Sequence, residues 1–300
     1  MRCAEAALHV SRGLESSARR DNERGVCGMK RGAWIVILSM VGVMPSAHSA
    51  DPALRAVPLV VPAPQTMPDG PLGEAVRQGL SIVNATKAAL PDNVGNALNC
   101  ASCHLNGGTV ANAAPFVGLW GVFPEYFARS GRVETLADRV NDCFARSMNG
   151  KPIAVDGDPM RAILAYVAWL SAGVPTGTGV EGRGFAPIAA PARAPDAGRG
   201  AQLYTQRCAA CHGQDGGGLR AADASYVMPP LWGPQSFNDG AGMARASVAA
   251  AFVRTKMPLG RGGSLDEQDA WDLAAFMTGA PRPAYATGAK DYPKGGRPAR

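Results

Sequence analysis

Two pentapeptides, CASCH (100–104) and CAACH (208–212), decide the fold of this 300-residue chain. Each has the spacing C-x-x-C-H, in which two thiols form thioether links to a haem and the next imidazole binds its iron. Zinc sites place their cysteine pairs about 15–20 residues apart or add a downstream histidine pair, and thioredoxin-like pairs need no trailing histidine. The sequence therefore predicts two covalent c-type haems, attached through Cys100, Cys103, Cys208 and Cys211, with His104 and His212 as iron ligands.

The N-terminus has the pattern of an export signal. Lys30-Arg31 precede an apolar run, AWIVILSMVGVM (33–44), and the small-residue stretch PSAHSA (45–50) follows. The run is shorter than the roughly 20 residues that span a bilayer. We therefore expect residues 1–50 to be a dispensable extension ending in a signal peptide (29–50), and the mature protein to be periplasmic with no membrane span.

The mature chain has few charges and few spare ligands. Without residues 1–50 it keeps 23 basic and 20 acidic residues, a net charge of +3 rather than +6, which gives no support for nucleic-acid binding. Five cysteines and two histidines remain, so Cys143 is the one cysteine outside the haem motifs. No histidine is left to bind the second axial position of either iron.

The two motifs mark an internal duplication. A glycine-rich turn, a Pro/Trp segment and an apolar helix pattern follow each motif, and no alternating strand pattern stands out. The sequence predicts an all-α fold of two tandem class I cytochrome c-type domains. The predicted segments are a first domain (51–173), a Pro/Gly/Ala-rich linker (174–197), a second domain (198–280) and a Pro-rich basic tail (281–300).

Several helix starts are visible in the sequence. Thr135-x-x-Asp138 and Ser264-x-x-Glu267 are capping-box patterns, and Asp158-Pro159 predicts an N-cap followed by proline. A helix that begins near Leu136 would carry Arg139, Cys143 and Ser147 along one face, because residues four apart lie above one another.

The second axial ligand decides the chemistry of each haem. In the second half, Met257 lies 45 residues after His212 and just before a proline, which is typical of a cytochrome c ligand methionine. Lys256 is the alternative ligand, and Met228 is a weaker rival.

In the first half two candidates compete for the same position. The duplication aligns FARSMNG (144–150) with FVRTKMPLG (252–260), which favours Met148. Arg139 favours Cys143 instead, because a nearby cation lowers a thiol pKa and stabilises the anion that binds iron. An inert buried Cys143 also stays open on the residues alone.

The runs LPDNVGNALNCASCH (90–104) and APFVGLWGVFPEYFARSGRVETLADRVNDCFARSMNG (114–150) closely resemble the dihaem thiosulfate dehydrogenases, as does 252–260. That family couples two thiosulfates into tetrathionate and releases two electrons, and some members favour the reverse. The resemblance implies that Cys143 binds the active-site iron and that Met257, in exchange with Lys256, binds the second. It also implies active-site roles for Arg139, Ser147 and Arg129.

The resemblance thus predicts a periplasmic oxidoreductase that passes electrons through two haems to a small cytochrome c or a high-potential iron–sulfur protein. Arginine forks bind dianions such as thiosulfate in bidentate fashion. Arg132 and Arg146 are expected to be solvated. The alternatives are a dihaem electron carrier without a catalytic site and a SoxA-like subunit of a sulfur-oxidising complex.

Overall fold

A computed structural model describes residues 56–223 and 225–298 of the chain. The predicted extension and signal peptide lie outside the described residues. The part that is described is mostly helical and forms one compact unit. None of its helices is long and apolar enough to cross a bilayer.

The secondary structure consists of short helices joined by long connections. The α-helices of the described residues are α1 (Gly70–Asn84), α2 (Thr86–Ala89), α3 (Leu105–Gly108), α4 (Leu136–Ala145), α5 (Asp158–Leu170), α6 (Ala197–Arg207), α7 (Ala209–His212), α8 (Ala246–Lys256) and α9 (Glu267–Gly279). Three two-stranded ladders accompany them: β1 (Ala56–Val57) parallel to β4 (Gly179–Val180), and the antiparallel pairs β2 (Glu125–Phe127) with β3 (Arg132–Glu134) and β5 (Leu219–Arg220) with β6 (Tyr226–Met228). The expectation of a helical fold is confirmed.

In the first half, α1 crosses α5 at a glycine. A Cβ on Gly79 would lie 2.1 Å from the carbonyl oxygen of Ala162, so only glycine lets the two backbones approach this closely. Tyr166, also on α5, donates its hydroxyl to the carbonyl of Gly107 at 2.8 Å. This bond ties the helix pair to the segment that follows the first haem motif.

The second half repeats this arrangement. α6 crosses α9 at Gly200, where a Cβ would lie 2.1 Å from the carbonyl oxygen of Asp272. Tyr204 donates its hydroxyl to the carbonyl of Gly213 at 2.7 Å, just after the second haem motif. Tandem domains with the same fold are expected to share such features, here the glycine helix crossing and the tyrosine hydrogen bond.

The buried carboxylate of Asp272 joins the predicted linker to this helix pair. It accepts hydrogen bonds from Arg193, Arg199, Gln268 and the amide of Asp196, at 2.7–2.9 Å. Burial alone would raise the pKa of Asp272, but the bonds from the Asp196 amide, Arg199, Gln268 and Arg193 outweigh it and lower that pKa to about 2.

The helix starts agree with the sequence to different degrees. Thr135 caps α4 in the predicted capping box with Asp138. The prediction at Ser264 is wrong, because Asp266 caps α9 and accepts a bond from the Asp269 amide. α5 begins one residue earlier than predicted, with Gly157 at the N-cap and Asp158 inside the first turn.

The two halves share a core. Phe237 and Ala241, from the second half, pack in one buried cluster with Leu98 and Phe144 from the first. The amide of Asn96 donates to the carbonyls of both Ser147 and Ser236, at 2.8 and 3.0 Å. The domain boundaries predicted from the sequence remain predictions, because the halves pack as one body.

Candidate active site

The first haem motif lines an apolar cavity of about 400 Å³. Cys100, Cys103 and His104 all contribute to its wall. Nδ1 of His104 donates to the carbonyl of Ala114 at 2.6 Å, which leaves Nε2 as the nitrogen available to iron. Burial lowers the pKa of His104 to about 4, so the imidazole is neutral, as metal binding requires.

The second haem motif is built in the same way. Cys208, Cys211 and His212 line an apolar cavity of about 250 Å³. Nδ1 of His212 donates to the carbonyl of Pro229 at 2.9 Å, and burial lowers the pKa of the imidazole. Each cavity therefore offers two thiols, one oriented neutral imidazole and apolar walls, a donor set that fits haem c.

Three of the predicted site residues meet at the first cavity. Arg139, Cys143 and Ser147 all line it together with His104. Ser147 is not on the predicted helical face, however, because α4 ends at Ala145. The chain turns there, with the amide of Met148 bonded to the carbonyl of Cys143, and this turn brings Ser147 back to the cavity wall.

Arginines supply positive charge at this cavity. Nη1 of Arg139 lies 3.8 Å from a carboxylate oxygen of Asp142, and its guanidinium sits 5.8 Å from the ring centre of Phe127. Its side chain is 41% exposed, so this ion pair is weak. Arg183 also lines the cavity and donates to Glu125 at 2.7 Å. Sequence reasoning missed Arg183, because it lies in the predicted linker and no local pattern marks it.

The rival ligand Met148 lines the same cavity but belongs to the core. It is 3% exposed and packs in the buried cluster with Val94 and Phe144. Cys143 is only partly buried. Both candidates thus reach the cavity, and Met148 has a packing role that accounts for its position.

At the second cavity, Met257 and Met228 both contribute to the wall. Lys256 is the last residue of α8 and is not among the described residues that line this cavity. Met257 therefore has the better placement of the two neighbouring candidates.

Arg129 does not line the first cavity. Its Nε donates to a carboxylate oxygen of Asp291 at 2.9 Å, and its side chain borders a separate cavity of about 320 Å³, which Arg245 and Tyr292 also line. Burial and the positive charge of Arg146 lower the pKa of Arg129.

The expectation of a solvated Arg146 is wrong. Arg146 is 6% exposed, binds both carboxylate oxygens of Asp291 at 2.8 Å and lies 4.3 Å from the ring centre of Tyr285. Burial alone would raise the pKa of Asp291, and the bonds from Arg146 and Arg129 outweigh it and lower it. Arg132 is exposed, as expected.

Sequence reasoning missed Asp291 as well. It is the one acidic residue between 281 and 300, in a stretch that otherwise reads as a basic surface tail. A single carboxylate among five basic residues was a usable signal, but nothing local showed which arginines it would bind.

Comparisons with known proteins match both halves of the chain. The family model described as "SoxA/TsdA, cytochrome c domain" matches residues 92–176, and that of "Cytochrome C oxidase, cbb3-type, subunit III" matches 195–277. The thiosulfate dehydrogenase of Allochromatium vinosum is 48% identical over 84% of this chain and 92% of its own length. That of Psychrobacter arcticus is 44% identical over 84% of this chain and 77% of its own length.

The chain belongs to the thiosulfate dehydrogenase family. A solved structure, the thiosulfate dehydrogenase (TsdBA) from Marichromatium purpuratum in its "as isolated" form, agrees with a TM-score of 0.72 and 40% identity. It covers 75% of this chain, which spans half the length of that chain. Family membership establishes two tandem cytochrome c domains with two covalently bound haems c.

Proposed function

We infer that the protein is a dihaem oxidoreductase that oxidises thiosulfate, and its membership in the thiosulfate dehydrogenase family supports this activity. The observation that carries the inference is the meeting of Arg139, Cys143 and Ser147 at the first haem cavity. An electron carrier needs only an axial ligand there. A cation and a hydroxyl beside a thiol form a binding site for an oxyanion that reacts through sulfur.

The residues of the first cavity have separate proposed roles. The Arg139 fork binds the sulfonate oxygens of thiosulfate, and the Ser147 hydroxyl donates one further hydrogen bond to them. Arg129, two residues after Phe127, which lines the first cavity, is proposed to bind the second thiosulfate. Fixing two dianions reduces the repulsion that opposes formation of a sulfur–sulfur bond.

We propose that Cys143 would bind the iron of a haem held in the first cavity and that it also acts as a nucleophile. Its thiolate forms a bond to the outer sulfur of one thiosulfate, which leaves a cysteine S-thiosulfonate and releases two electrons. The second thiosulfate attacks that outer sulfur, so tetrathionate leaves and the Cys143 thiolate is restored. A haem held by Cys100, Cys103 and His104, and one held by Cys208, Cys211 and His212, would supply a one-electron acceptor each for these two electrons.

The two haem cavities adjoin. Leu98 and Cys103 line both the first and the second cavity, so the two cavities share part of their lining, which supports electron transfer between them. At the second cavity, Met257 would bind the iron of a haem held there, with Lys256 as the proposed exchange partner. The proposed acceptor is a small cytochrome c or a high-potential iron–sulfur protein outside the chain.

The experiment mixes oxidised protein with thiosulfate without oxygen and follows the haem α-band. We expect reduction of the wild type and of Met148→Leu, which removes the rival ligand, and no reduction of Cys143→Gly. If Cys143→Gly is reduced as fast as the wild type, the thiol has no catalytic role. If the wild type stays oxidised, tetrathionate is added to the reduced protein. If neither thiosulfate nor tetrathionate changes the haem spectrum, the protein is an electron carrier without this activity.

The proposed periplasmic location has its own test. Fractionation of the producing cells, with the intact mass of the exported protein, should give a chain that begins near residue 51. A cytoplasmic protein that retains residues 29–50 would contradict the export prediction.

A further inference from the structure

The C-terminal segment reaches back to the hairpin that carries Arg129. Three consecutive residues make the contact: the Asp291 carboxylate accepts from Nε of Arg129, the Tyr292 amide donates to the Arg129 carbonyl at 2.7 Å, and Pro293 covers Gly131. Side chain and backbone of Arg129 are therefore both held by residues more than 160 positions later in the chain.

The same carboxylate holds the end of α4, the helix that carries Cys143. Arg146 directly follows α4 and binds both oxygens of Asp291 in a fork, and it also donates to the carbonyl of Gly240. A fork of this kind fixes direction as well as distance. Nε of Arg146 lies 3.3 Å from Oδ2 of Asp142. The same oxygen lies 3.8 Å from Nη1 of Arg139, at the first cavity.

Charge and burial show that this contact is more than a surface ion pair. Asp291 is 7% exposed, and its two oxygens receive three N–H groups. A buried carboxylate shared by two arginines costs desolvation that a plain packing residue would avoid. An arginine that is already fixed loses less rotamer freedom when it binds an anion.

We propose that Asp291 is a positioning residue for thiosulfate oxidation, which holds Arg129 and the Cys143 helix in the geometry that binds substrate. The inference rests on the proposed function. It makes the C-terminal segment part of the active-site architecture, although the sequence reads as a surface tail.

Steady-state kinetics of the holoprotein with thiosulfate test this role. In Asp291→Asn we expect the thiosulfate KM to rise about tenfold, with kcat within about twofold of wild type, because the arginines lose their fixed geometry. A purely electrostatic role gives the opposite sign, since removing a negative charge beside two arginines should lower the KM for a dianion. A purely stabilising role reduces the folded fraction and leaves KM unchanged.

Arg146→Lys is the second variant and serves if Asp291→Asn does not fold. It keeps the charge but loses the fork that fixes Asp291, so KM should again rise. Asp158→Asn is the matched control, because Asp158 is an exposed carboxylate whose one ion pair among residues 56–223 and 225–298 is with Arg161, three residues along its own helix. Its KM should equal that of the wild type.

The outcomes separate the two proposals. An active wild type in which both variants keep an unchanged or lower KM overturns the positioning role and leaves the proposed function intact. A wild type without turnover in either direction overturns the proposed function, and the role of Asp291 falls with it.

Discussion

Because α6 and α9 cross so closely, one added methyl group at the crossing should lower the free energy of unfolding markedly. In Gly200→Ala the new Cβ would lie 2.1 Å from the carbonyl oxygen of Asp272 and 2.9 Å from Cβ of Phe276, where ordinary contact begins near 3.4 Å. The helices must therefore separate by roughly 1 Å, since a backbone carbonyl cannot rotate away as a side-chain tip can.

The magnitude follows from two opposing effects. Overpacking of this kind costs about 3 kcal/mol at the upper end of its usual range. Alanine regains about 1 kcal/mol of helix propensity over glycine. The net expectation is a loss of about 2 kcal/mol in the free energy of unfolding, or about 4–8 °C in Tm for a domain unit of this size.

Urea unfolding of the holoprotein, followed by far-UV circular dichroism, measures this loss. Gly279→Ala is the matched control, because Gly279 ends the same α9 and a Cβ there would meet nothing within 4 Å. It should be as stable as the wild type or more so. Equal stability of Gly200→Ala and Gly279→Ala would refute the close-crossing argument.

Three further predictions concern single side chains. The hydrogen bonds to Asp272 hold its pKa at about 2, below the ordinary 3.8. Its charged form therefore stabilises the fold above pH 3.8, and this stabilisation is lost as the pH falls towards 2. The urea midpoint of Asp272→Asn should depend less on pH in that window than the midpoint of the wild type. Arg139→Lys keeps the charge but loses the fork, and its thiosulfate KM should rise about tenfold in steady-state assays; an unchanged KM would show that charge alone suffices. Tyr166→Phe leaves the Gly107 carbonyl without its donor and should lower the urea-derived unfolding free energy by about 1–2 kcal/mol; no loss would mean that water replaces the hydroxyl.

Short-range patterns made much of this structure predictable. The haem motifs carry their ligands within five residues, and the capping box of Thr135 and Asp138 acts across one helical turn. The i, i+4 spacing brought Arg139 and Cys143 to one cavity. In each case the residues that interact are neighbours in the chain, so the spacing itself holds the information.

Long-range partners were not predictable in this way. Arg146 and Asp291 are 145 residues apart, and neither residue has a pattern that identifies the other. Arg183 reaches the first cavity from a stretch that composition assigns to a linker. Ser147 reached the cavity by a different route than the sequence suggested, because the helix ended two residues before it. Periodicity cannot show where a helix yields to a turn.

Leu98 and Cys103 line both haem cavities, and this shared lining limits how the protein can be divided or recombined. A chimera that exchanged the second half for a single-haem cytochrome would expose the packed face of Leu98 unless it also supplied the residues buried with Leu98, Phe237 and Ala241 among them. Although the sequence repeats one cytochrome unit, the two copies pack around a shared core and must be inherited together. Recombination within this family should therefore preserve the segment 235–241 together with the first half.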